Sequence, residues 1–243
     1  MKSIALLFSL LLLGACKKPE HRACLKKSGT PAVQDIALNS FNRLHLKEHL
    51  TYVLVPDTVS KVVLQGGKNL LGFVEVVQDG SLITISNKNR CHFLRDYDYP
   101  TVEIHYQSLI NIQYEGTETL TNLDTLKTNY LVLTLKDGAG ILDLCLDVVD
   151  VKLDNIHGWG KATLRGKASF CKVNLMGDGS FDGRGLAVST DYKLISSSSL
   201  NQYLSAPNIP LEVEIRGIGN VYYYGTPSTL YFSRYGTGNL IPQ

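Results

Sequence analysis

Carboxylates are the first residues in this sequence that could do chemistry. Asp143, Asp147, Asp150 and Asp154 fall in one stretch, and Asp178 and Asp182 share another with Arg184. Cleaving a glycosidic bond takes two opposed carboxylates, or an acidic metal cluster beside a basic residue, gathered in a groove. The first run does not read that way. In Leu142-Asp-Leu-Cys-Leu-Asp and Val149-Asp-Val-Lys-Leu-Asp the acids alternate with aliphatics. Alternate residues of a strand face opposite sides, so the aliphatics, Val149 included, should turn inward and the acids to water. The second cluster, Asp178-Gly-Ser-Phe-Asp-Gly-Arg184, has the composition of a turn, where Asp and Gly are ordinary.

The six histidines do not assemble a metal site by spacing. His45 and His49 are four apart, which would pair them on a helix, but they sit in a β-branched, strand-like run and there merely share a face. No nucleophile elbow or P-loop appears, and Gly217-Ile-Gly219 lacks the third glycine and the helix of a dinucleotide fingerprint. No metal and no cofactor are expected. A nine-residue calcium β-roll is excluded because the period is double and no aspartate regularly follows the glycines.

The elements that would position these residues announce themselves through glycine. Steps of Gly-x-Gly occur at Gly138 and Gly140, Gly158 and Gly160, Gly177 and Gly179, Gly217 and Gly219, and Gly236 and Gly238. They recur at intervals of 19 or 20, and the single gap of 40 holds Ser196-Ser-Ser-Ser199 at its centre. Gly116-Thr-Glu118 extends the series backwards by 22. A period near 20 marks a solenoid whose rungs bury their apolar faces only against one another. Stacked glycines would form ladders at one corner, where the missing Cβ lets the chain turn tightly and rungs approach closely. An antiparallel sandwich or barrel is the competing fold, but its turns recur every 8–12 residues. Before the repeat, β-branched runs bounded by Gly, Asn, Asp or Pro read as strands from Asp35 on, and Gln78-Asp-Gly-Ser81 reads as a hairpin turn. No stretch keeps a helical period behind a capping residue.

The beginning of the chain reads as an export signal. Lys2 precedes a short apolar run, Ile4 to Leu13, too short to span a bilayer. It ends at Leu13-Gly-Ala-Cys16, similar to the lipobox in which the cysteine is acylated, so Cys16 is the expected lipid anchor. This divides the chain into a signal peptide (1–15), a lipidated cysteine and tether (16–34) and a β-solenoid domain (35–243). An exported chain meets an oxidising compartment, and Cys24 and Cys91, both in polar irregular stretches, are the expected disulfide. Cys171 alternates in phase with Val173 and Leu175 and should be buried; Cys145 is out of phase with its leucines and should be exposed. Formal net charge is +2, without basic blocks beyond Lys17-Lys18 and Lys26-Lys27, which excludes a nucleic-acid binder.

Aromatic residues gather near the end: Tyr222, Tyr223, Tyr224, Tyr231, Phe232 and Tyr235. Facing outward, the tyrosine triplet would form a binding patch for a glycan or a protein. Facing alternately inward, these rings would close the last rungs as a cap, which is the favoured reading.

The segment Gly217-Ile-Gly-Asn-Val-Tyr-Tyr-Tyr-Gly225-Thr-Pro227 resembles the head GIN domain family of auto-transporter adhesins. Phe41-Asn-Arg-Leu44 is similar to that family's opening, and Gly177-Asp-Gly-Ser180 to its repeated glycine step. The likeness extends over about residues 36 to 241. It implies a right-handed parallel β-helix-like fold on exported, often lipid-anchored proteins, with no catalytic residues to transfer. The reading is therefore an all-β solenoid with rungs of about 20 residues. Its expected function is that of a non-enzymatic, lipid-anchored protein of the cell envelope, adhesin-like or structural, in the outer membrane on either face. The competing function is a carbohydrate-active β-helix enzyme. The membrane is the expected partner through the lipid; a homo-oligomer stays open.

Overall fold

The computed structural model describes residues 27–89 and 99–243. Cys16, Cys24 and Cys91, with the signal segment and most of the tether, lie outside the described residues. The first strand, β1 (Pro31–Ala37), begins four residues ahead of the expected boundary at 35, because 31–37 pair antiparallel with β4 (Lys61–Gly67).

From Asn111 onward the chain is a parallel solenoid. Its longest strands are β10 (Leu126–Leu135), β11 (Ile141–Asn155), β12 (Lys161–Leu175) and β13 (Ser180–Ser196). Leu126 of β10 pairs with Leu146 of β11, and Ile141 of β11 with Lys161 of β12, so one rung is 20 residues. In β13 the offset grows from 19 to 21 across two bulges, between Thr163 and Arg165 and between Ala168 and Phe170 of its partner strand. Farther on it settles at 19, where β13 meets β15 (Pro210–Ile215), and β15 meets β17 (Thr229–Arg234). The same offset joins β14 (Gln202–Ser205) to β16 (Val221–Tyr224), and β16 to β18 (Leu240–Pro242).

This register puts like residues above one another. Leu133, Leu153, Val173, Leu194 and Val213 form a single inward column, all buried. Each rung closes the apolar surface that its neighbour would otherwise expose, so the core runs the length of the solenoid. The long strands are not straight repeats of one face. Leu142, Leu144, Leu146 and Val148 point inward, and then the phase slips, so that Val151, Leu153 and the polar Asn155 point inward next. The slip leaves Val149 and Asp150 both outward and corrects the expected inward placement of Val149, which is 46% exposed. It marks an elbow where the chain bends from one face of the solenoid to the next.

The start of the domain is built differently. β2 (Arg43–Lys47) and β3 (Thr51–Pro56) pair in parallel with β8 (Asn111–Glu115) and β9 (Thr119–Asn122) and form a first rung. Beyond them, β7 (Thr101–Tyr106) pairs antiparallel with β4, and β5 (Val74–Asp79) pairs antiparallel with β6 (Leu82–Asn87) through a tight turn at Gly80. A short helical turn, α1 (Lys68–Leu71), with no side-chain cap, buries Leu70 and Leu71. β6 and β7 also pair in parallel with β2 and β3, while β1, β4 and β5 add antiparallel at the amino-terminal end, so the antiparallel alternative is realised locally, as a lid on a parallel stack.

Candidate binding surfaces

The glycine corner has almost no spare room. A Cβ on Gly158 would stand 2.3 Å from the Gly138 carbonyl oxygen, and one on Gly138 would stand 2.3 Å from that of Gly116. The Gly236 position meets the Gly217 oxygen in the same way, at 2.0 Å. In the second slot of the step, Gly140 lies against the Glu118 oxygen, Gly179 against that of Gly160, Gly219 against that of Leu200 and Gly238 against that of Gly219. For Gly160 the obstacle is the Leu135 side chain, and for Gly177 the Gly158 oxygen. In the serine rung, buried Ser198 donates its hydroxyl to the Gly179 carbonyl at 2.7 Å and accepts the Leu200 N–H at 3.0 Å. Gln202 helps, accepting the Phe181 N–H at 2.6 Å. These groups are occupied in holding rungs together.

Apart from Asp150, the candidate aspartates are likewise committed. Asp143 meets Arg165 at 2.8 Å and Asp147 meets Lys167 at 3.3 Å, both across a rung boundary. Asp154 holds Lys152 at 2.6 Å and accepts from Asn174 at 2.7 Å. Asp178 and Asp182 take different partners: Asp178 accepts the Ser199 N–H, while Asp182 takes a two-pronged contact from Arg184 at 3.0 and 2.6 Å. The Arg184 hydrogen bond holds the Asp182 carboxyl below the usual carboxylate range and the guanidinium above its own. The two acids do not form an opposed pair.

The expected tyrosine triplet divides between its two readings. Tyr223 packs against the core. Tyr222 lies on the outer face, stacked on Tyr203 of the preceding rung with centroids 5.2 Å apart and planes 13° from parallel. The Arg184 guanidinium lies 5.0 Å above the Tyr203 ring and 6.0 Å from the Tyr224 ring. The cap is incomplete. Phe232 continues the inward column over the buried Val213 but is itself left exposed, as is every residue of β17, and Tyr231 and Tyr235 face solvent, so only part of the expected cap forms.

Histidines pair with acids that are distant in sequence. His45 lies 3.0 Å from Glu115 and His105 2.8 Å from Asp57. The expected shared strand face of His45 and His49 does not form: His49 has φ of 66° in the turn after β2 and meets Glu118 at 3.5 Å. Burial raises Glu115, but hydrogen bonds from Gln113 and His45 outweigh it and leave its pKa lowered. No group of three His, Cys, Asp or Glu suits a metal among the described residues. Cys171 is buried, and desolvation pushes its thiol up to about 12; Cys145 is half-buried rather than exposed, with its N–H bound by Asn122 at 2.9 Å.

The concave surface lies at the elbow. One cavity of about 680 Å³ crosses four rungs, with Val148, Ala168 and Val188 in its floor and Lys127, Asp147 and Lys167 along a wall. Another of about 300 Å³, lined from the same four strands, is bordered by Tyr130, Asp150, Phe170 and Asp191, with Lys152, Lys172 and Lys193 beside them. Sequence reasoning passed over Tyr130 and Phe170. The 20-residue period would have found them, since it places Tyr130, Asp150 and Phe170 in one column.

Comparison with known proteins fits this architecture. A family model described as "putative auto-transporter adhesin, head GIN domain" matches residues 40–227. A putative adhesin from Bacteroides fragilis has a similar fold, with a TM-score of 0.79 at 17% identity over 88% of this chain and 97% of its own. A putative adhesin from Parabacteroides distasonis gives 0.62 at 18%, covering 88% and 98%. A putative lipid binding protein from the same species gives 0.64 at 13%, covering 88% and 97%. No curated protein matches the sequence. With its repeat, its parallel stack and this match over most of its length, the chain belongs to the head GIN domain family of putative auto-transporter adhesins.

Proposed function

We propose that this protein is a non-enzymatic binding module of the cell envelope, adhesin-like in use and held to the outer membrane by a lipid on Cys16. The observation that carries the binding role is the elbow groove, where two exposed aromatic rings and a row of lysines are presented on a stiff stack of hydrogen-bonded rungs. A rigid scaffold that displays side chains at fixed intervals suits recognition of an extended partner. The commitment of Asp178 and Asp182 to different partners favours this reading over a carbohydrate-active enzyme, whose acids must face one substrate bond. Anchoring is supported by the short apolar run ending in Leu13-Gly-Ala-Cys16.

Fractionation of cells carrying wild type and Cys16→Ser tests the anchor. The wild type is expected in the membrane and the variant in the soluble fraction; a variant that stays in the membrane overturns it. Protease treatment of whole cells tests display, and an adhesive role requires digestion without lysis. Depolymerisation of a polysaccharide by purified protein, abolished by Asp182→Asn, would replace the binding role with the enzymatic one.

A further inference from the structure

Four consecutive rungs place Tyr130, Asp150, Phe170 and Asp191 in register on one outward column. Aromatic and acid therefore alternate along the solenoid axis. At a rung spacing of about 4.8 Å, the backbone positions of the two aromatic residues stand roughly 9.6 Å apart. Both rings are open to solvent, Tyr130 at 47% and Phe170 at 42%. Two residues beyond Phe170 on the same strand face is Lys172, between Lys152 and Lys193 in the neighbouring column. Lys152 is held by Asp154 at 2.6 Å and Lys193 by Glu212 at 2.5 Å. Lys172 has no ion pair among the described residues. An apolar ring and an uncommitted ammonium thus adjoin in a cavity of about 300 Å³.

We propose that this column is a binding site for an extended, β-linked acidic polysaccharide in which every second sugar carries a carboxylate. The polymer lies along the solenoid axis, across the strands. The apolar face of one sugar stacks on Phe170, its carboxylate pairs with Lys172, and an equivalent face one disaccharide along stacks on Tyr130. Asp150, between the two rings, and Asp191, one rung beyond Phe170, accept hydrogen bonds from sugar hydroxyl groups. The match is one of period: the aromatics recur every second rung, and the polymer repeats every second sugar. Lys172 is the local reason for a carboxylate at this point, because of these three lysines it is the one without an acid partner and it lies beside the ring. The inference rests on the binding-module reading above and specifies its ligand.

The test is a titration of full-length protein in detergent with hyaluronan, and with barley β-glucan as the neutral comparator, at low and high salt. Hyaluronan is expected to bind more tightly than the glucan, with affinity falling as salt rises. Phe170→Ala, Tyr130→Ala and Lys172→Ala should each weaken binding about tenfold, with Lys172→Ala also flattening the salt dependence. Phe170→Trp should keep affinity, which separates loss of the ring from loss of the fold, and Tyr203→Ala should change nothing. No binding to hyaluronan overturns the proposal, as does binding that survives Phe170→Ala or a glucan affinity equal to that for hyaluronan. Such failures leave the anchoring and display experiments untouched, and those would fail through the behaviour of Cys16→Ser or of whole cells.

Discussion

The carbonyl oxygen of Gly138 lies 2.3 Å from the point where a Cβ on Gly158 would stand, and Gly158 has φ of 94°. Neither clearance nor backbone conformation admits a side chain there. The neighbouring Trp159 N–H donates to the same Gly138 carbonyl at 2.9 Å, so the oxygen cannot move away without breaking a rung contact.

Gly158→Ala is therefore expected to lower stability by about 3 kcal/mol. Gly72→Ala is the control, because Gly72 has φ of −66° and nothing within 4 Å of its Cβ position. It should change stability by less than about 0.5 kcal/mol. Urea unfolding of both variants checks the pair, and equal losses would remove the steric account of the ladder.

Ser198 fills the glycine slot of its rung and satisfies two backbone groups with one hydroxyl. Ser198→Ala should leave the buried Gly179 carbonyl and Leu200 N–H without that partner, at a cost of about 2 kcal/mol. Thermal melting gives the answer, and an unchanged Tm would mean that Gln202, which also reaches the Gly179 carbonyl, suffices alone.

The tyrosine triplet separates by facing. Tyr223→Ala removes a ring packed against the core and should cost about 2 kcal/mol. Tyr222→Ala removes only a stacked surface pair, at about 1 kcal/mol. Chemical denaturation of the two variants should rank them in that order.

Acid should weaken the fold through carboxylates held low. Asp182 is lowered chiefly by the Arg184 hydrogen bond and Asp57 chiefly by that of His105. A carboxyl lowered in the folded state contributes stability that is fully present above its unfolded value, about 4. That contribution is lost as pH falls through the lower folded value. The melting temperature should therefore drop below about pH 4, and Asp182→Asn should make that drop shallower. An unchanged slope in the variant would deny Asp182 its part.

Thiol reactivity should follow burial. Cys171 is enclosed and its thiol pKa is raised to about 12 by desolvation, so it should resist iodoacetamide in the folded protein. Cys145, half-buried, should be alkylated first. Peptide mapping after timed labelling measures the order.

Taken alone, the amino-acid sequence determined the rung. Gly-x-Gly at intervals of 19 or 20, and apolar residues alternating on either side, leave few arrangements except stacked strands with glycine at a shared corner. The reason is local: a Cβ-free position and a two-residue alternation are properties of the chain itself. Tertiary structure decided what the rungs hold against one another. The slip in phase at Val149 and Asp150 follows from a bend, and no alternation rule contains it. The His105–Asp57 and His45–Glu115 pairs join residues tens of positions apart because the amino-terminal strands stack out of sequential order. Which tyrosines face outward depended on the register of β16, and although the period already aligns Tyr130 with Phe170, the elbow decided that both rings lie outward along one cavity. Periodicity fixes what recurs along the chain; only the stacked fold determines which side chains become neighbours on its surface.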